Sequence, residues 1–185
     1  VISSEGTTAP FTESFESANP LDSMRWYSEQ ISTGYAWQKS TTAGYTGFNA
    51  IKSNTYNFTG KANITSAAYD VSNLSSALVS FHYAYAPKSN SGTCYLRAFT
   101  SSDCGATWKL KWITGGPSMS TAPTTSGPYN YPNQNEWVKA SFSVSGNDLG
   151  DNLRIKFEFR GANGNNLFID EINLIDNRIQ KDNLV

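Results

Sequence analysis

The stretch Ser101-Ser102-Asp103-Cys104-Gly105-Ala106-Thr107-Trp108 decides the fold, because it fits the S-x-D-x-G-x-T-W pattern of the Asp-box at every fixed position. An Asp side chain in such a segment bonds the backbone a few residues further on, and Gly supplies the left-handed position that the turn requires. Thr107 and Trp108 then begin a returning strand, where a β-branched residue and a large aromatic favour pleated structure. The stretch therefore predicts a β-hairpin turn in which Asp103 and Gly105 have structural roles, and it carries no chemistry of its own.

Alternation of apolar and polar residues continues on both sides of this turn. It is clearest over residues 77–85 and 153–160; in the first of these, Phe81 and Tyr83 share one face and His82 lies on the other. Further strands are predicted at residues 11–16, 25–30, 35–39, 50–53, 63–69, 94–100, 107–113, 137–144 and 167–174. No segment shows a capped helical stripe. The sequence thus predicts an all-β jelly-roll sandwich of two antiparallel sheets with about ten or eleven strands.

Composition excludes several function classes. The 14 Lys and Arg residues balance 15 Asp and Glu residues, so no basic stripe calls for nucleic acid. No apolar run approaches the roughly 20 residues that span a bilayer, so we expect no membrane insertion. Abundant Ser, Thr, Asn, Gly and aromatic residues are typical of extracellular all-β domains and predict a secreted or cell-surface location. We assign residues 10–175 to one domain, with linkers at 1–9 and 176–185 that join it to a larger chain.

The two cysteines leave their pairing open. Cys94 and Cys104 lie ten residues apart, with Cys104 in the predicted turn and Cys94 at the start of the strand that leads into it. A seven-residue strand reaches about 23 Å, which is too far for a disulfide unless the strand bends back.

Four landmarks in order along the chain support a family resemblance. They are Phe11–Glu16, Ser66–Ser72 with Leu78–Tyr85, Ser101–Trp108 and Gly164–Ile172. Together they resemble the MAM-like jelly-roll modules of secreted proteins of Bacteroidetes-type bacteria. That family includes the cleaved-adhesin domains of gingipains and accessory domains of cytophagalysin-type zinc metallopeptidases. The resemblance implies a non-catalytic accessory or adhesin-like module that binds an extracellular protein or a glycan; the chain lacks the four-cysteine pattern of eukaryotic MAM domains.

The same resemblance implies structural calcium where the first and last strands meet. The matching residues are Glu16 and Asp170, with Glu13 next and Asn165 as a neutral oxygen donor. Independently of the resemblance, Asp170 interrupts an otherwise apolar strand, and a carboxylate in such a place needs a partner or a metal. Calcium takes six to eight oxygen ligands of these types. Alternatively, Asp170 bonds backbone amides or a nearby Arg or Lys.

A long proline-containing loop over residues 115–135 is the predicted ligand-binding segment. Tyr129 and Tyr131 lie near its end, and Trp112 ends the strand before it. Exposed aromatic rings stack on sugars and anchor protein interfaces. The alternative is that these rings pack the loop onto the sandwich. The other tryptophans are expected in the core: Trp26, Trp37, Trp108 and Trp137.

We expect no catalytic activity. His82 is the only histidine, and no G-x-S-x-G elbow accompanies it. Asp170 and Glu171 fall on opposite faces of one strand, and the residues before them lack the leading acid of an E-x-D-x-x-E pattern. The alternative hypothesis is that the chain is a carbohydrate-binding module of a polysaccharide-active enzyme. A third hypothesis is a jelly-roll glycosidase or lyase.

Overall fold

The computed structural model describes residues 6–21, 25–29 and 35–178. Within these residues the chain forms thirteen strands and three short 3₁₀ helices. The strands are β1 (Thr7–Thr8), β2 (Phe11–Glu13), β3 (Trp26–Ser28), β4 (Trp37–Ser40), β5 (Ala50–Ser53), β6 (Thr59–Ser66), β7 (Tyr69–Asp70), β8 (Ser76–Tyr85), β9 (Tyr95–Ser101), β10 (Lys109–Gly115), β11 (Val138–Ser145), β12 (Arg154–Ala162) and β13 (Leu167–Asp176). No helix in these ranges has the length and apolar character needed to cross a membrane.

Two antiparallel sheets pack face to face, which confirms the predicted sandwich. The first has the order β10-β9-β12-β6-β3, and the second has the order β11-β8-β13-β5-β4 with β2 also paired to β13. A short parallel pair, β1 with β7, lies outside both sheets. It places Thr7 and Thr8 in the folded domain rather than in the predicted linker, and β13 likewise continues to Asp176, one residue past the predicted end.

Large aromatic side chains from both sheets fill the interior. Trp26 and Phe157 stack with ring centroids 6.1 Å apart, and Phe81 meets Phe157 edge-on at 4.8 Å. All three are completely buried. Trp37 is also in this core, so the predicted positions of Trp26 and Trp37 are confirmed. Truncating such a ring to Ala costs about 3–5 kcal/mol, so these contacts carry much of the stability that joins the sheets.

Side-chain hydrogen bonds close the turn between β9 and β10. Asp103 Oδ1 accepts bonds from the Thr107 amide at 2.9 Å and from Ser101 Oγ at 2.7 Å, and Asp103 Oδ2 accepts one from Thr107 Oγ1 at 2.5 Å. Cys104 and Gly105 adopt positive φ angles of 59° and 90°. These bonds, chiefly those from Thr107, lower the pKa of Asp103 to about 2. The turn thus uses the chemistry that its sequence predicted.

The cysteines are both free. Cys94 is buried at the start of β9 and Cys104 is exposed in the turn at its other end. The extended strand between them keeps the two thiols apart, as the length estimate indicated.

Replacing Asp103 with Ala should lower the melting temperature by a few degrees, because the turn loses three side-chain bonds. Since the pKa of Asp103 is depressed in the folded state, this contribution is present at neutral pH and is lost as the pH falls through about 2. Thermal melts of both proteins from pH 7 to pH 2 test this expectation. A difference in melting temperature that is unchanged at pH 2 would contradict the proposed role of the carboxylate.

Candidate functional site

The outer faces of the two sheets differ in what covers them. Residues 116–137 form a long loop that packs on the outer face of the second sheet. There Trp137, Tyr129 and Phe168 form a second apolar cluster. Within the described residues no comparable segment packs on the first sheet, whose outward side chains we call the open face. The sandwich therefore presents one closed side and one accessible side.

Strand register arranges the open face in rows. Phe99, Lys156, Thr65 and Tyr27 are direct partners across β9, β12, β6 and β3. Neighbouring strands lie about 4.8 Å apart, so this row forms a continuous track across four strands. Tyr27 is 46% exposed at its end. A chain-like ligand running across the strands would meet each of these side chains in turn.

Cations and aromatic rings alternate along this face. Lys156 Nζ lies 4.1 Å from the ring centroid of Trp108 and 4.9 Å from that of Phe99. Arg97 lies over the ring of Tyr95, with its guanidinium carbon 5.6 Å from the centroid. Burial lowers the pKa of Lys156. Trp108 is only partly buried here, so its expected place in the core is wrong: it precedes β10 and its ring turns outward onto Lys156.

A depression of about 490 Å³ lies at the turn end of the open face. Tyr27 and Trp108 supply its rings, Glu29 and Arg154 its charged groups, and Cys104 and Gly105 contribute the wall formed by the turn. A larger depression of about 600 Å³ lies beside Lys88 at the edge of the sandwich. Its one aromatic residue, Tyr85, is buried, so the smaller depression is the one that offers exposed rings.

The two carboxylates on the open face are engaged with neighbouring side chains. Glu158 is 6% exposed and pairs with Arg97 at 3.3 Å and Lys61 at 3.6 Å. Glu29 accepts a bond from Asn63 Nδ2 at 2.8 Å. Paired in this way, both carboxylates position their neighbours. The arrangement suits binding better than proton transfer, which needs an acid directed at the ligand.

The three aromatic residues predicted to bind a ligand do not form one surface. Trp112 meets Phe81 edge-on at 5.3 Å inside the sandwich, because a register shift after Leu110 turns its side chain inward. Tyr129 is 9% exposed, and its hydroxyl donates a bond to Glu136 at 3.0 Å. Tyr131 alone is open to solvent, at 71% exposure. For Trp112 and Tyr129 the structure therefore matches the packing alternative.

Buried Asp170 binds the loop that follows β4. Its Oδ2 accepts bonds from the amides of Tyr45 at 2.7 Å and Thr46 at 3.0 Å, and its Oδ1 accepts one from the Glu171 amide. Tyr45 also stacks on His82 at 3.6 Å between ring centroids. Asp170 is completely buried, and desolvation raises its pKa to about 7. Its partners are thus backbone amides, which is the alternative to a metal ion that the sequence analysis gave.

Glu16 binds the same loop from the other end. Its Oε1 accepts bonds from the amides of Phe48 and Asn49, and its Oε2 accepts one from Asn49 Nδ2. Thr46 Oγ1 donates to a third carboxylate, that of Glu171, at 2.7 Å. Carboxylates from the start and the end of the fold therefore meet on one short segment.

Glu13 and Asn165 have other contacts. Glu13 Oε1 accepts the Phe15 amide, and its Oε2 lies 4.0 Å from Arg25 Nη1. Asn165 Oδ1 accepts the Tyr129 amide at 2.8 Å, and its Nδ2 donates to Gly127. Asn165 is thus one of the residues that attach the long loop to the sandwich.

Around Asp170 three carboxylates accept hydrogen bonds from N–H and O–H groups of neighbouring residues. Glu16, Asp170 and Glu171 supply carboxylate oxygens to one loop, and oxygen ligands are those that calcium prefers. None of the three forms an ion pair with a Lys or Arg of the described chain. No cluster of three or more His, Cys, Asp or Glu side chains suited to a metal occurs in the described ranges. Backbone and amide oxygens would therefore have to complete any calcium shell.

Solved structures share this fold. The K1 cleaved adhesin domain of Lys-gingipain from Porphyromonas gingivalis matches 91% of this chain and 99% of that domain, with TM-score 0.61 and 13% identity. The K2 cleaved adhesin domain of Lys-gingipain matches 90% of this chain and 99% of that domain, with TM-score 0.62 and 14% identity. The CBM22-1 xylan-binding domain of Paenibacillus barcinonensis Xyn10C matches 94% and 97%, with TM-score 0.55 and 13% identity.

At these identities the likeness establishes the fold. The resemblance of the sequence to cleaved-adhesin domains is confirmed at that level. No protein-family model matches the chain, and comparison with curated proteins gives no match.

In the absence of calcium, Asp170 should make the protein less stable as the pH rises. Its folded-state pKa of about 7 exceeds the unfolded value of about 4. The folded state therefore retains the proton more strongly, and the free energy of unfolding falls between about pH 4 and pH 7. Asp170→Asn should remove this decline, although it also removes at least one of the three amide bonds, because Asn has a single acceptor oxygen.

Thermal melts in EDTA across this pH range measure the effect. Asp151→Asn, at an exposed position, serves as the control and should keep the decline. A wild-type protein whose decline persists unchanged in Asp170→Asn would show that another group is responsible.

Proposed function

We propose that this domain is a non-catalytic binding module that holds a polysaccharide chain across its open face. The observation that carries the proposal is the row of outward side chains on β9, β12, β6 and β3, which ends at the depression walled by Trp108 and Tyr27. A sugar ring presents flat patches of C–H groups to an aromatic face and hydroxyls to polar neighbours. The open face offers both kinds of contact side by side.

The geometry favours an extended ligand over a small one. The depression continues into the Phe99–Lys156–Thr65 row instead of closing around a compact cavity. Thr65 and Asn63 add neutral hydrogen-bonding groups between the charged ones. Polysaccharide binding through several shallow contacts along such a track gives reversible attachment, which suits an accessory module.

The similar solved structures are described as binding domains. One is a xylan-binding domain, and the other two are cleaved adhesin domains of Lys-gingipain. Each is described as part of a larger protein, which supports the same arrangement and an extracellular setting for this chain. Association with a zinc metallopeptidase rests on the sequence resemblance alone. A His-Glu-x-x-His segment upstream in the same reading frame would support that association.

A structural calcium ion is the second part of the proposal. It would be held by Glu16 and Asp170 with oxygens of the 44–49 loop. Glu171, which accepts a hydrogen bond from Thr46 of this loop, would supply a further carboxylate oxygen. The ion would supply positive charge to the carboxylates of Glu16 and Asp170, which accept hydrogen bonds from amides, and to that of Glu171, which accepts one from the Thr46 hydroxyl. Its physical effect would be to tie the ends of the fold together, where strands fray first.

Replacing Trp108 or Tyr27 with Ala should weaken glycan binding by at least about tenfold, or ~1.4 kcal/mol, because each ring is a wall of the depression. An array of plant and bacterial cell-wall polysaccharides identifies a binding probe, and calorimetry with its oligosaccharide gives the affinities. Tyr131→Ala is the matched control, since that ring is exposed on the 116–137 loop. Loss of binding in Tyr131→Ala alone would assign the ligand to the loop instead.

A second readout uses the two free cysteines. Cys104 lines the depression and is exposed, whereas Cys94 is buried. Bound oligosaccharide should slow alkylation of Cys104 by iodoacetamide and leave the slow reaction of Cys94 unchanged. Alkylation of Cys104 at the same rate with saturating glycan would contradict binding at this face.

Calcium should raise the melting temperature relative to EDTA, because a ligand that binds only the folded state stabilises it. Glu16→Gln should reduce this increase by weakening the site. Glu29→Gln removes the same charge from the open face and should leave the increase intact. Equal melting temperatures of the wild-type protein in calcium and in EDTA would remove calcium from the proposal.

A further inference from the structure

Positive charge is concentrated on the open face. Together with Glu29, the outward positions of β3, β6, β9 and β12 carry five cations and two carboxylates, a formal net charge of +3. The whole chain has a net charge of −1, so its other residues together carry −4. The five cations are Lys61, Arg97, Arg154, Lys156 and Arg160. The near-neutral chain thus contains a basic surface that its composition does not reveal.

The internal ion pairs leave much of this charge uncompensated. Glu158 accounts for Arg97 and Lys61 together, so one carboxylate serves two cations. Neither Lys156 nor Arg160 lies within 4.0 Å of a carboxylate in the described part of the chain.

Two of the cations face each other across neighbouring strands. Arg160 and Lys61 are direct cross-strand partners, and like charges opposite each other destabilise a sheet. Arg160 also faces Tyr95 on its other side, so a ring and two cations share one row. An anionic group seated between Arg160 and Lys61 would remove their repulsion.

From this arrangement we infer that the ligand is an acidic polysaccharide. Its sugar rings lie on Trp108 and Tyr27, and one of its carboxylate or sulfate groups pairs with Lys156 in the same row. The chain then continues along β12 to the row four residues away, where further acidic groups pair with Arg160 and its cross-strand partner Lys61. This inference rests on the proposed function, because it names the ligand class of the same face.

A neutral polysaccharide fits this surface less well for a physical reason. Covering ammonium and guanidinium groups with an uncharged chain removes their water without supplying a charged partner. An acidic chain replaces that water with charge-assisted hydrogen bonds, which are about twice as strong as neutral ones. The planar guanidinium of Arg160 is suited to a carboxylate or sulfate, which it can bind through two parallel bonds.

A pair of ligands that differ only in charge tests the inference. Calorimetry at low ionic strength compares oligogalacturonate with its methyl ester, which has the same sugars without the negative charges. We expect the free acid to bind at least about tenfold more tightly, with the difference shrinking in high salt. A sulfated oligosaccharide forms a third arm, and tighter binding of that ligand would support the acidic class and assign sulfate as its anion.

Matched protein variants locate the effect. Arg160→Gln and Lys61→Gln should each weaken binding of the acid several-fold. Lys139→Gln removes the same charge from an exposed position on the other sheet and should leave the affinity unchanged. Since all three side chains are exposed, thermal melts should confirm that each variant folds.

The outcomes separate this inference from the proposed function. Equal affinity for acid and ester, with both lost in Trp108→Ala, would overturn the acidic ligand and leave glycan binding in place. Absence of binding to every saccharide would overturn both. Binding of single-stranded DNA as tight as that of the acid, and unaffected by Trp108→Ala, would show general attraction of polyanions and would also overturn the inference.

Discussion

Strict alternation of side chains along β12 is the constraint on which both the core and the open face depend. Phe157 points inward and meets Trp26 and Phe81, so its neighbours Lys156 and Glu158 must point outward. One strand therefore supplies the centre of the interior and the centre of the binding surface. A register slip of one residue would bury two charges and expose a phenyl ring, which is why the stability of the sandwich also maintains the arrangement of the site.

The long loop covers the outer face of the second sheet and leaves that of the first sheet accessible. The two faces of the sandwich therefore differ, and only the first sheet presents its side chains to a ligand. Asn165 holds the long loop at Tyr129, and Tyr129 then packs on Phe168 beneath it. On that side the loop satisfies the apolar residues of β8 and β13, so these strands are buried on both faces. The carboxylates of Glu16 and Asp170 hold the neighbouring 44–49 loop. The rings and cations of the first sheet meet no such cover in the described chain.

Periodicity in the sequence predicted the strands because a period of two needs only local information. The hairpin turn was equally local, since Asp103, Thr107 and Gly105 lie within five residues. The two-residue pair β1–β7 was missed because so short an element has no period. Trp112, a ligand candidate in the sequence with packing as the alternative, packs inward because a register shift after Leu110, which the pattern does not reveal, changes the face on which it lies.

The open face could have been found only in part. The alternation in β9 and β12 already predicted that Phe99, Lys156 and Glu158 face away from the core, and this pattern is the signal that the sequence offered. Which of the two polar faces the long loop would cover was not available, because that depends on contacts such as Asn165 with Tyr129, 36 residues apart. The sequence therefore favoured Tyr129 and Tyr131 of the loop as ligand candidates; in the structure Tyr129 packs on the sandwich and Tyr131 is exposed.

By itself the sequence determined the all-β class, the strand positions and the chemistry of the turn. Its alternation also placed most charged residues on the outward side of their strands. Tertiary structure decided which strands became neighbours, and hence that five cations spread over one hundred residues, from Lys61 to Arg160, share one sheet face. The physical reason is that side-chain parity is set within a strand by backbone geometry, whereas the row in which a side chain lies is set by cross-strand hydrogen bonds between segments far apart in the chain.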